Sequence, residues 1–242
     1  MRLGLVYARL QLLELVRFPG FTVATLGFPA MLFGLFGLPR AGARPAVIVA
    51  SYMAFAVLGV GFFQFGVSAA IERVTPWAAF LRTLPAPAAA RMAGRVLAAL
   101  AFTAAAIALV LGLALATTHL SLPLVAWLRL AAALLAGSVP FVVLGVAIAY
   151  WTTPKSALPV ANVLYMLLSY AGGLWTGGGD LPTLAARLSP YTPTRQWGDV
   201  LWPAVLGIPW SWRHWLALTG FTAVFGFIAL WGYRRDEGQR FR

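Results

Sequence analysis

Few residues in this chain could do chemistry. Its six acids are Glu14, Glu72, Asp180, Asp199, Asp236 and Glu237; its two histidines are His119 and His214; Lys155 is its one lysine, and cysteine is absent. Disulfides, thiolate metal sites and thiol catalysis are therefore excluded. Gly66-Val67-Ser68 has the form of an intramembrane serine-protease string, with His119 and His214 as candidate bases. A base must come within about 3 Å of the hydroxyl, and Ser68 belongs to the opposite end of its apolar segment from both histidines. A phosphate-cradling loop needs Gly-x-x-x-x-Gly-Lys-Ser/Thr, whereas Lys155 follows Pro154, so this chain carries no nucleotide site of that kind. Thr176-Gly177-Gly178-Gly179-Asp180 has some likeness to a cation-channel filter, in which stacked carbonyls replace an ion's water. A triple glycine leaving a helix reads more simply as a left-handed cap and hinge. No catalytic residue and no metal set is expected.

The longest polar, charge-bearing interruption before the last third of the chain is 71–96, with Glu72, Arg73, Arg82, Arg91 and Arg95 around an apolar centre. Within it Trp77, Phe80, Leu81 and Leu84 fall on one helical face at spacings of three, one and three. An exposed aromatic and aliphatic face with Arg82 beside it suits the groove of a partner protein.

The elements that position these residues follow from composition. The 242 residues are 61% hydrophobic and 10% charged, with a mean hydropathy of +0.84, far from the soluble average of about 25% charged. This is an integral membrane protein, with room for about six spans of roughly 20 residues each. The expected fold is all-α. An N-terminal interfacial helix (1–20) precedes spans at 21–38, 46–70, 92–117, 124–150, 158–175 and within 213–233. The segment 1–20 lacks the pattern of a cleaved signal, because Glu14 and Arg17 interrupt its apolar run. A cytoplasmic helix lies in 71–91 between spans two and three. Broken, semi-apolar helices re-enter the outer leaflet between spans five and six (176–210), since irregular backbone at that depth survives only where protein or water satisfies it. Trp197, Trp202, Trp210, Trp212 and Trp215 suit the interfacial belt. With both termini inside, twelve of the 18 Lys and Arg residues face the cytoplasm and six face outward, which is the preferred bias. The net charge of +12 thus reads as topology signal rather than a nucleic-acid surface. All six acids fall outside the spans so drawn, so no proton-relay carboxylate is expected within them. Energy for active transport would come from another chain.

Glu72-Arg73, then Leu81-Arg82-Thr83-Leu84-Pro85, then the Arg91-Met92-Ala93-Gly94-Arg95 run resemble the Glu-Arg, Leu-Arg-x-x-Pro-Leu and Gly-Lys segment of ABC-2 type exporter permeases. The later order resembles them too: Asn162 in span five, a glycine-rich exit, Leu181-Pro182, and Ser189-Pro190-Tyr191-Thr192-Pro193 before the last span. The layout covers nearly the whole chain, and it departs in Pro76-Trp77 and in Arg95 where lysine is common. The resemblance implies a plasma-membrane permease subunit, bacterial and multi-pass, that works as a homodimer or heterodimer with two ABC ATP-binding subunits. This chain would need no cofactor, ATP and Mg residing on the partner. Glu72, Arg73, Trp77, Phe80, Leu81, Arg82, Leu84 and Pro85 would form the coupling helix. Leu181, Pro182, Pro190 and Tyr191 would form the external gate, and spans one, two and five would line the path. Asn162 lies on that path by position. Tyr165, Met166, Tyr170 and Trp175 are candidate substrate contacts from their adaptable aromatic and thioether surfaces. The expected cargo is hydrophobic or amphipathic: a drug, a lipid or a lipid-linked glycan. A passive channel is the alternative.

Overall fold

The structure is a computed structural model that describes residues 2–17, 19–42, 44–76, 88–179 and 181–240. Among these residues it contains helices and turns and no strand. We number the α-helices α1 (Arg2–Arg17), α2 (Pro19–Leu32), α3 (Pro45–Phe62), α4 (Ala69–Glu72), α5 (Ala88–Thr117), α6 (Leu124–Trp151), α7 (Pro154–Ala171), α8 (Thr183–Leu188), α9 (Pro193–Leu206) and α10 (Trp212–Arg240).

Among the described residues, four helical runs are long and apolar enough to cross a membrane: Pro45–Glu72, Met92–Thr117, Leu124–Trp151 and Trp212–Asp236. They coincide with the expected spans two, three, four and six. The segments expected as spans one and five are helical but fall below that mark. α2 has 14 residues and passes into a π-helix (Phe33–Gly37) and a 3₁₀ turn (Leu38–Arg40). α7 opens on Pro154, Lys155 and Ser156, where Thr153 forms a capping box with Ser156; this polar first turn lowers its hydropathy. The final helix runs on through the arginine-rich 234–240 segment instead of stopping at the membrane edge.

α3 is the axis of the bundle. Every residue from Val47 to Phe62 is buried, and α2, α5, α6, α7 and α9 all pack on it. It runs without a break into a π-helix, Phe63–Ser68, and then α4. Helix α6 crosses the α3 run where Gly145 meets the Gly61 carbonyl so closely that a Cβ at position 145 would collide with it, which is how small residues bring two backbones together in a membrane. α1 lies along α5, and α10 along α6.

The expected re-entrant segment contains α9, and here two tryptophans depart from the interfacial role expected of them. Trp197 is fully buried against Phe141, and its indole N–H donates to the Ala133 carbonyl at 2.9 Å. A Cβ at Gly137 would overlap that indole. Trp202 is buried as well and donates to Ser51 Oγ at 2.8 Å. A buried indole needs an acceptor; both find one inside the bundle and become core anchors. Trp212 is 69% exposed, while Trp210 and Trp215 meet edge-on and pack half-buried against the core. Ala133 lies nine residues into α6, about 14 Å of helix rise, so α9 reaches well into the bundle.

Candidate functional site

Two constellations gather the candidate residues. The first is at the end of the α3 run. α4 finishes at Glu72 with Arg73 as its cap, and these two side chains tie together three other helices. Glu72 pairs with Arg95 near the start of α5. Arg73 pairs with Asp236 near the end of α10 and donates through Nη2 to the Thr152 carbonyl at 2.8 Å. Thr152 caps the C-terminus of α6, where a helix end carries partial negative charge and favours a cation. The Arg73 guanidinium also lies 5.9 Å from the centre of the Tyr150 ring. Neighbouring contacts brace α6 against α10: Trp151 donates to the Ile228 carbonyl at 2.9 Å, and Arg235 sits over the Trp151 ring.

These groups are partly buried, with side-chain exposures between 16% and 43%. That places them between the surface pairs that contribute little and the buried pairs whose disruption costs several kcal/mol. Residues 73–76 lead away in a hydrogen-bonded turn, Thr75 N–H donating to the Glu72 carbonyl at 3.0 Å. Of the expected coupling residues, Glu72 and Arg73 sit in this knot, while Trp77, Phe80, Leu81, Arg82, Leu84 and Pro85 lie outside the described residues.

The second constellation is aromatic and joins α2, α3 and α7. Ala157, Ala161, Tyr165 and Ser169 form the buried stripe of α7, at spacings of four that keep them on one face. Tyr165 stacks on Phe55 at 4.4 Å between ring centroids and donates to the Phe55 carbonyl at 3.0 Å. Phe62 and Phe63 close on it edge-on. Trp175 stacks on Phe36 at 6.1 Å and meets Phe55 and Tyr170 edge-on. Its carbonyl receives the Tyr52 hydroxyl at 3.4 Å, and its own indole N–H is buried with no acceptor among the described residues.

Tyr165, Tyr170 and Trp175 thus share one aromatic cluster. Met166, half-buried, packs against the core beside it. Asn162 does not join, because it sits on the exposed side of α7. That side is apolar: Val163 is 64% and Leu167 58% exposed.

The chain turns out of α7 through glycine. Gly173 takes a φ of 76°, and Leu174 N–H returns to the Ser169 carbonyl at 3.0 Å, the helix-ending pattern that favours glycine. The left-handed cap is thus Gly173, ahead of the expected triple glycine. Gly178, at φ 74°, lies against the Trp202 ring, where a Cβ would approach within 2.6 Å. Gly178 N–H bonds back to the Gly173 carbonyl at 2.9 Å, so the turn closes on itself and packs on its own chain.

Of the expected gate residues, Leu181 is half-buried, Pro182 and Pro190 are exposed, and Tyr191 is 81% exposed. Gln196 holds the Pro190 carbonyl at 2.6 Å. This leaves its Oε1 to accept from His214 Nδ1 at 2.8 Å. Asp199 lies beside both Arg195 (3.1 Å) and His214 (3.9 Å). His214 is thereby engaged with Gln196 and Asp199. Arg129 lies over Trp210 and donates to the Ile208 carbonyl.

Sequence reasoning misses the partners. Asp236 and Arg95 belong to the first constellation, yet Asp236 is 163 residues from Arg73; the available signal is the pair of acids, Asp236 and Glu237, set among the arginines of the 234–240 segment. Phe36 and Phe55 belong to the second and carry no mark that separates them from other apolar residues.

The geometry defines a helical membrane protein with a charged knot at one end of its axis and an aromatic cluster beside that axis. No family model matches the chain. A comparison with characterised sequences finds a Bacillus subtilis (strain 168) protein named "Putative transport permease YvfS", 25% identical over 200 residues, which cover 83% of this chain and 82% of the relative. Over most of its length the chain is thus similar to a protein named as a transport permease.

Proposed function

We propose that this protein is the membrane-spanning subunit of an ATP-driven exporter, crossing the plasma membrane six times with both termini in the cytoplasm. In this reading two protomers enclose the path and two separate ATP-binding subunits drive it. The observation that carries the proposal is the knot of Glu72 and Arg73 with Arg95, Thr152 and Asp236. A partner that grips 71–91 would pull on four helical runs at once, because the loop leaves the bundle through those two side chains. That the chain has no phosphate-binding loop of the glycine-lysine type fits a division of labour with an ATPase.

α2 and α7 complete the six spans, and a second protomer covers their exposed apolar sides, where Val23, Leu35, Val163 and Leu167 are each more than half exposed. The cargo is hydrophobic or amphipathic, and Tyr170 and Trp175 meet it at the edge of the aromatic cluster. The segment 181–191 serves as the external gate.

The test is co-purification with an ATPase, followed by transport-linked hydrolysis in the reconstituted complex. Leu81→Asp and Arg82→Glu are expected to release the ATPase and abolish transport. Unchanged hydrolysis, co-purification and transport in both variants would overturn the coupling assignment, and ion current from this chain alone, indifferent to ATP, would favour the passive channel.

A further inference from the structure

On the side of α3 away from the aromatic cluster lies a crevice of about 520 Å³. Its floor is α3, at Val57, Val60 and Gly61, and its walls are α5 and α6. These two helices follow one another in the chain, and each packs on α3. Small side chains, Ala104 and Ala131 among them, leave the opening between the walls. Leu100 and Leu135 form the lips, 45% and 57% exposed. The only polar side-chain atoms in the lining come from Thr103, Ser138 and Trp127, and Ser138 already donates to the Leu135 carbonyl at 2.8 Å.

The dimensions select an occupant. On α5 the crevice extends from Val96 to Leu111, about 22 Å of helix rise. One leaflet of hydrocarbon is about 15 Å thick. Spread over that length, 520 Å³ leaves a slot narrower than the 10 to 12 Å of an α-helix with its side chains. A partner helix does not fit, and a polymethylene chain does. Water is excluded because a buried water needs two to four polar partners. A void is excluded because its lining forfeits dispersion contacts, and even a 150 Å³ apolar cavity takes up benzene.

One end of the crevice is marked. Val96 follows Arg95, which is paired with Glu72, so the crevice begins at the charged end of the bundle and runs inward toward Trp127. We infer that it holds one acyl chain of a bilayer phospholipid, drawn from the leaflet on the Glu72–Arg95 side and resident between α5 and α6. The inference rests on the protein spanning a membrane, and it is independent of the ATPase partnership and of the path proposed beside α7.

The experiment uses the full chain in nanodiscs doped with phosphatidylcholine that carries a diazirine in its acyl chain. After irradiation, adducts are mapped by peptide mass spectrometry. The expected result is labelling of Val57 and Val60, which are 8% and 3% exposed, at least fivefold above the openly exposed Val224 and Phe227 of α10. Equal labelling of all apolar faces, or none on α3, overturns the inference. Ala131→Phe fills the crevice and is expected to cut the α3 adducts at least fivefold while leaving those on α10 unchanged; unaltered α3 labelling overturns the inference. Ala104→Leu makes a smaller change, so it is measured alongside, together with the phospholipid retained per chain by native mass spectrometry after a detergent wash. One retained lipid in the wild type and none in the filled variant supports a resident chain. Equal retention overturns it, as does a protein–protein crosslink from a photoreactive residue at position 131 in place of lipid adducts.

Discussion

The two ends of the bundle are held by opposite means. At the Glu72 end, long charged side chains reach between helix termini, and the contacts are ion pairs and cations over rings. At the other end, a short inserted helix plants two indoles whose N–H groups find acceptors on α6 and α3, with Gly137, Gly178 and Gly198 leaving room for the rings. The first kind of joint tolerates movement, since a guanidinium can follow its carboxylate or exchange one acceptor for another. The second does not, because a buried ring fits one hole. The contrast teaches where the molecule can yield: the charged end is the more adaptable joint and the indole end the more rigid one.

The sharpest way to break the contrast is at Trp197. Trp197→Ala empties a fully buried site and is expected to cost about 3 to 5 kcal/mol, measured as a fall in the thermal midpoint of the detergent-solubilised protein. Trp202→Phe keeps most of the ring and loses the bond to Ser51, for an expected cost of about 1 to 2 kcal/mol in the same assay. At the charged end, Arg73→Ala removes the pairing with a partly buried Asp236 and is expected to cost about 1 to 3 kcal/mol. Pairing it with Asp236→Ala should recover part of that loss, which a double-mutant cycle checks. If Arg73→Ala lowers the midpoint more than Trp197→Ala does, the assignment of rigid and yielding ends is reversed. The smallest effect belongs to Asp199→Asn, which weakens the i,i+4 pair with Arg195 by about 0.3 to 0.5 kcal/mol.

Much of the fold is legible in the sequence, because membrane spans are written in long apolar runs. The stretches 46–70, 92–117 and 124–150 lie within α3 to α4, α5 and α6, and their ends are marked by proline or arginine. What hydropathy cannot carry is pairing. Arg73 reads as a topology signal whether or not Asp236 meets it. Trp197 and Trp212 carry the same side chain, and only the hole left by Gly137 makes one of them core and the other periphery. The candidate site divides along the same line: Tyr165, Tyr170 and Trp175 stand out by type and proximity in the chain, whereas Phe36 and Phe55 join them only through three-dimensional packing.

The π-helix at Phe63–Ser68 has a consequence for the charged knot. An α-helix advances about 100° per residue, and a wider turn inserts close to one extra residue into the count. Everything beyond Ser68 is therefore indexed differently from everything before Phe63: the buried face of α3 sets one phase and the pair Glu72 and Arg73 another. The segment works as a fixed angular offset between the packed shaft and its charged tip. Removing one residue from it would leave the shaft seated while swinging both side chains by about 100°, turning Glu72 from Arg95 and Arg73 from Asp236 in a single step.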